Sequence, residues 1–218
     1  MSQAPSHHIV IFDLGNVLIR WDPRNLFRKI FAEDVAAMEW FLANVCTLEW
    51  NERLDAGLTF AEAVRDRTAM FPEHADLIRA YHERWFETLG DAISENVEVL
   101  SDLKRVGYKV YGLTNWSAET FHPARKLYPF LNWFDGVVVS GEERLIKPDP
   151  RIYQCLLERY GINASASIFI DDSARNIEAA RKLGITAIHF VPGVDLRSEL
   201  TGLKVVFPGA CLGASERT

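Results

Sequence analysis

The chain has 218 residues and a formal net charge of -6, with 24 basic against 30 acidic residues and no long run of either sign. That length buries a dry core, and the charge balance argues against the basic footprint of a nucleic-acid-binding protein. No stretch approaches the roughly 20 unbroken apolar residues of a membrane span, and MSQAPSHHIV lacks the basic start and apolar run of a leader, so cytoplasmic residence without a membrane partner is expected.

In chain order, HIVIF at His8 to Phe12 is apolar and rich in β-branched residues, which reads as a buried strand. Between Leu18 and Asp91 the period turns helical, without a clear strand. Asp22 and Pro23 form an N-cap and first helical position, Thr59 has Glu62 at its capping-box position, and HADLIRAYHERWFETL runs to Gly90. From Tyr108 onward apolar runs alternate with helical patterns. YKVYGL precedes a helix from about Ser117, GVVVS precedes DPRIYQCLLERYG, SIFID precedes SARNIEAARKLG, and TAIHFV precedes DLRSEL, with KVVF at Lys204 to Phe207 read as a last strand. Gly161 and Gly184 are helix stops.

This alternation predicts an α/β fold: a Rossmann-like parallel sheet sandwiched by helices, formed by residues 1–19 and 92–218. Residues 20–91 are a helical insert of about 70 residues after the first strand. Cys46, Cys155 and Cys211 show no CxxC or paired metal-ligand spacing and are expected to be reduced thiols in or near the core.

In open parallel sheets, ligands lie beyond the carboxyl ends of the strands. Polar residues gather there in four segments. Asp13 follows IVIF, Thr114 and Asn115 follow YKVYGL, Asp171 and Asp172 follow SIFI, and Lys147 follows GVVVS after a short loop. Bringing Asp13, Asp171 and Asp172 together costs roughly 4 kcal/mol per close pair at an effective dielectric near 20. A cation must balance them. Lys147 supplies one charge and a divalent ion two more; an all-oxygen cluster with no Cys or His nearby in sequence suits Mg²⁺ better than Zn²⁺. Capping explains each residue singly, for example Asp172 or Ser173 before SARNIEAARKLG, but not the set in this order and strand context.

With these segments the chain resembles the haloacid dehalogenase superfamily: IVIFDLGNVL, YGLTN, Lys147 in IKPDPRIY, and IFIDDSARN stand where its four motifs do. The resemblance implies that Asp13 is a nucleophile forming an aspartyl-phosphate, that Thr114, Asn115 and adjacent amides hold phosphoryl oxygens, and that Lys147 neutralises charge. It also implies that Asp13, Asp172 and the Gly15 carbonyl ligate Mg²⁺, with Asp171 acting through water or by orienting Lys147. The helical insert looks like the family's cap. Within the superfamily the motifs look most like those of the alpha-D-glucose-1-phosphate phosphatases, so the implied substrate is a small phosphorylated metabolite; a monomer or homodimer is expected.

Gly15 departs from the pattern, because family phosphatases carry there an aspartate that protonates the leaving oxygen. A positioned acid is worth roughly 10² to 10⁴ in rate. An anomeric sugar phosphate, whose leaving hydroxyl is more acidic, would ease the loss. Hydrolytic 2-haloacid dehalogenation would make Gly15 harmless, since a halide leaves without a proton, and a metal- or phosphosugar-binding pseudo-enzyme is a third reading. Asp22, Glu52 and His122 are polar residues near these segments and receive no catalytic role; Trp21, Trp50 and Trp116 are candidate walls of a sugar-sized pocket.

Overall fold

The fully apolar runs pair edge to edge because each is too short and too buried to satisfy its backbone alone. The computed structural model describes residues 7–208. Strand β1 (Ile9–Phe12) leads to β2 (Ile19–Trp21), then to helices α1 (Arg24–Phe31), α2 (Val35–Asn44), α3 (Leu48–Asp55), α4 (Phe60–Met70) and α5 (Ala75–Glu83), and to β3 (Leu89–Ala92). Helix α6 (Ser94–Arg105) precedes β4 (Lys109–Thr114), α7 (Ala118–Leu127) precedes β5 (Gly136–Val139), and α8 (Ser140–Glu143) and α9 (Pro150–Tyr160) precede β6 (Ser167–Asp171). Helix α10 (Ala174–Lys182), β7 (Thr186–His189) and α11 (Leu196–Gly202) follow.

The expected parallel sheet is present, in the order β5-β4-β1-β6-β7. β1 lies at its centre, pairing Phe12 with Gly112 of β4 and with Ile170 of β6. Strand order reverses beside β1, which opens the crevice where α/β folds bind ligands. One apolar cluster (Ile11, Leu113, Ile152, Phe169, Ile177) packs on one face; the larger cluster on the other runs on through Phe27, Phe41, Trp50 and Tyr81 of the helical segment.

Local signals placed the helices well. Thr59 and Glu62 form the capping box, Ser117 caps α7, Asp149 and Pro150 open α9, and Gly161 closes it in the left-handed region at φ 61°. Asp22 does accept the Arg24 N–H at 2.8 Å, although the hydrogen-bonded helix begins one residue later than expected.

Three expectations are corrected. The helix read as running to Gly90 ends at Glu83, and Gly90 lies within β3. The segment from Leu18 to Asp91 is not free of strands: β2 and β3 form an antiparallel ribbon where the helical segment leaves and rejoins the sheet. Each is three or four residues long, too short to show a period. KVVF is not a strand: Lys204 has φ 65°, and Val205 and Phe207 bury their side chains without pairing to the sheet. Cys46 is buried and Cys155 partly so, both free thiols; Cys211 lies outside the described residues. Among the described residues no helix is long and apolar enough to cross a membrane.

Candidate active site

Sheet register sets the site. Since Phe12 pairs with Ile170, the next residues, Asp13 and Asp171, leave neighbouring strands at one level, and Asp13 N–H donates to the Ile170 carbonyl at 2.8 Å. Thr114 ends β4, buried, level with Val139. Lys147 arrives from the loop after α8. Both ends of the Asn115 carboxamide fix that loop: Oδ1 accepts the Lys147 N–H at 2.8 Å and Nδ2 donates to the Lys147 carbonyl at 3.0 Å. Gly141 brings α8 against the end of β4; a Cβ there would lie 2.4 Å from Ala118 N and 2.8 Å from the Trp116 carbonyl, so no side chain fits.

Lys147 is only 2 % exposed, and its Nζ lies 2.9 Å from Asp13 Oδ1 and 2.7 Å from Asp171 Oδ2. Burial opposes the ammonium charge, but the Asp13 and Asp171 carboxylates outweigh it and raise the Lys147 pKa. Burial raises the Asp13 pKa, with Lys147 opposing and Asp171 and Asp172 adding repulsion. Asp172 is likewise raised by burial and by Asp171. Each of the three aspartates offers a carboxylate oxygen within 4.8 Å of the others.

Asp171 is already well occupied. It accepts Ser173 N–H at 2.8 Å and the Asn176 carboxamide at 2.9 and 3.1 Å, besides Lys147. That leaves Asp13 and Asp172 the freer carboxylates.

These groups open into a cavity of about 280 Å³ lined by Asp13, Gly15, Asn115, Lys147 and Asp172 from the expected set. Thr114 is not among its lining residues; Asn115 and Trp116 form the wall there. Among the described residues nothing lies within 4 Å of where a Cβ at Gly15 would stand, and its φ is outside the left-handed region, so neither space nor backbone demands glycine. Trp21 and Trp116 line the cavity, whereas Trp50 is buried against Tyr81 at 5.1 Å between ring centres. Glu52 lines it and pairs with Arg175 at 3.3 Å; Asp22 serves α1, and His122 pairs with Glu142 at 2.7 Å.

Sequence reading missed Asn51, Asp55, Trp85 and Arg175, which also line the cavity. The available signal was in α3, where Asn51 and Asp55 stand four residues apart beside the buried Trp50 and Leu54. Burial pushes the Asp55 carboxyl up to about 7, helped by Glu52 and Asp13 and opposed by Lys147 and a Ser117 backbone N–H.

Residues 10–190 match the description haloacid dehalogenase-like hydrolase. The chain belongs to that family. This haloacid dehalogenase-like hydrolase is 33 % identical over 105 residues to a sesquiterpene phosphatase of Aspergillus oryzae, covering 48 % of the chain and 54 % of that protein. It is 30 % identical over 137 residues to (S)-2-haloacid dehalogenase 4A of Burkholderia cepacia, covering 62 % of the chain and 55 % of that protein. The chain thus spans about half the length of these two curated relatives. A solved HAD family enzyme of Bacteroides thetaiotaomicron, in complex with magnesium and inorganic phosphate, superposes on the hydrolase with a TM-score of 0.66 at 26 % identity, covering 89 % of this chain and 99 % of that one.

Proposed function

We propose that the protein is a Mg²⁺-dependent phosphatase that hydrolyses a small phosphorylated metabolite through an aspartyl-phosphate on Asp13. The observation that carries this reading is the cluster of Asp13, Asp171 and Asp172 about the buried Lys147 ammonium. Three carboxylates and one ammonium leave a negative site, which attracts a divalent cation and, through it, a phosphoryl group. The donor set fits Mg²⁺: hard oxygens throughout, with no Cys or His in the cluster. Asp13, Asp172 and the Gly15 carbonyl are assigned as protein ligands, and the hydrogen bonds already held by Asp171 suit a role through Lys147 or a bridging water. When bound, Mg²⁺ supplies charge neutralisation and orientation to the phosphoryl group. A Bacteroides thetaiotaomicron enzyme of similar fold, in complex with magnesium and inorganic phosphate, supports magnesium as the cation and a phosphoryl group as its companion.

The chain's own residues divide the work as follows. The Asp13 carboxylate attacks phosphorus and displaces the ester oxygen; water then attacks the aspartyl-phosphate and releases phosphate. Lys147 holds Asp13 ionised and faces the charge of the transferring group. Thr114, Asn115 and neighbouring backbone amides hold phosphoryl oxygens, with Asn115 also fixing the Lys147 backbone. Residues 20–91 serve as the cap over a core of 1–19 and 92–218, and Trp21, Trp85 and Trp116 line the cavity beside the leaving portion, in keeping with a sugar 1-phosphate.

A second reading, hydrolytic dehalogenation of a 2-haloacid, is favoured by Gly15 and by the Burkholderia cepacia relative. The carboxylate cluster weighs against it, because it repels a carboxylate substrate. The deciding experiment measures phosphate release from sugar, alkyl and aryl phosphates, and halide release from 2-haloacids, each with and without Mg²⁺ and chelator. Mg²⁺-dependent phosphate release is expected; chelator-insensitive halide release would reverse the assignment. Phosphosugar binding with no turnover would favour the pseudo-enzyme.

A further inference from the structure

We infer that Asp55 is the proton-transfer group that stands in for the acid missing at Gly15, an inference that rests on the phosphatase reading above. Asp55 is the last residue of α3 and lines the same cavity as Asp13, Gly15 and Lys147. Its approach is from the helical segment, whereas a residue at position 15 would approach from the sheet.

Asp55 is held in place from three sides. Tyr81, buried, donates its hydroxyl proton to Asn51 Oδ1 at 2.6 Å, which turns the Asn51 amide so that Nδ2 donates to Asp55 Oδ2 at 3.0 Å. The Ser117 backbone N–H donates to the same carboxyl. The Ser140 hydroxyl donates to the Asp55 main-chain carbonyl at 2.6 Å while accepting Trp116 N–H at 2.9 Å, tying the end of α3 to the loop after β4. Among the described residues no cation pairs with this carboxyl at salt-bridge distance, unlike Asp13 and Asp171, so it is not locked into its ionised form.

The charges around it favour a proton carrier. Glu52 lies on its own helix, Asp13 faces it from the end of β1, Tyr81 reaches it through Asn51 from α5, and Lys147 faces it from the loop after α8. Burial and the two anions push its pKa to about 7, near where a group that must both give and take a proton works best.

The proton balance closes over one turnover. As Asp13 attacks, the phosphorus–oxygen bond to the leaving group breaks, and the departing oxygen takes the Asp55 proton to become an alcohol. Asp55, now a carboxylate, takes a proton from the water that attacks the aspartyl-phosphate. Cleavage of the Asp13–phosphorus bond then regenerates Asp13 and protonated Asp55, with phosphate as product. Asp55 thereby removes the need for an unusually acidic leaving group.

The test compares full-length wild type and Asp55→Asn on an alkyl phosphate and on 4-nitrophenyl phosphate, whose leaving group needs no acid. In the variant kcat/KM is expected to fall about 100-fold or more for the alkyl ester and less than about 5-fold for the aryl ester. The aryl ester should also give a burst of one nitrophenolate per enzyme, because the aspartyl-phosphate waits for its lost base. A Gly15→Asp substitution in the Asp55→Asn background, placed where space is open, is expected to recover alkyl turnover at least about 10-fold. Equal losses on both substrates would make Asp55 structural and overturn the inference, as would no loss on either. A wild type that releases no phosphate from any ester would instead overturn the phosphatase reading itself, and the inference with it.

Discussion

Lys147 Nζ lies 2.9 Å from Asp13 Oδ1, with the two residues 2 % and 7 % exposed, so carboxylate and counter-charge share one buried pocket. Neither charge is well solvated, so each depends on the other. Lys147→Ala leaves Asp13 and Asp171 without their cation, and breaking such a pair costs about 3–5 kcal/mol. Urea unfolding should show that loss, and phosphate release should vanish. A variant of wild-type stability would mean that the ammonium is not the buried counter-charge described here.

Asn115→Ala removes two hydrogen bonds that seat the Lys147 backbone, at 2.8 and 3.0 Å. The expected cost is about 1–3 kcal/mol in stability. Steady-state kinetics should show a lower kcat as Lys147 loses its place. An unchanged kcat would show that the loop is held by other contacts.

Asp55 links catalysis to pH-dependent stability. Its pKa rises from 3.8 to about 7 on folding, so between those values the folded chain binds more protons than the unfolded chain and stability falls as pH rises. Asp55→Asn, which cannot ionise, should therefore be more stable than wild type at about pH 8, by about 1–3 kcal/mol. The difference should close as pH falls below about 3.8, where Asp55 becomes protonated in both states. Urea titrations at the two pH values, without added metal, check the sign; a variant less stable at the higher pH would contradict it.

Removal of Mg²⁺ by a chelator is expected to suppress phosphate release, and added Mg²⁺ to restore it. Metal binding should also raise the thermal midpoint, because a divalent ion relieves repulsion among Asp13, Asp171 and Asp172. Asp172→Asn should weaken this metal-dependent rise more than Asp171→Asn does, since Asp171 is committed to Lys147, Ser173 and Asn176. Differential scanning measurements over a Mg²⁺ series would expose the opposite order.

The sheet and the groups at its carboxyl edge were legible because each buried strand is an unbroken apolar run ending in a polar residue. Asp13 after Phe12 and Asp171 after Ile170 are the clearest cases, and parallel register then places them side by side. The ribbon of β2 and β3 was not legible, since IRW and LGDA are too short to carry a period and pair only because the chain ends of the helical segment meet. KVVF misled because alternating buried Val205 and Phe207 mimic a strand without pairing. Asp55 was invisible for another reason: its meaning comes from Asn51, Tyr81 and Ser117, brought together only by folding. Gly15 could be read as a missing acid, but not where the replacement stands.

The most direct test of the account is acid quenching during turnover of 4-nitrophenyl phosphate with Mg²⁺, followed by mass spectrometry of the peptide that contains Asp13. One phosphoryl group is expected on Asp13 in the wild type, more of it in Asp55→Asn, and neither adduct nor turnover in a folded Asp13→Asn. Phosphate release by Asp13→Asn at near wild-type rate, with deamidation excluded by its mass, would contradict it.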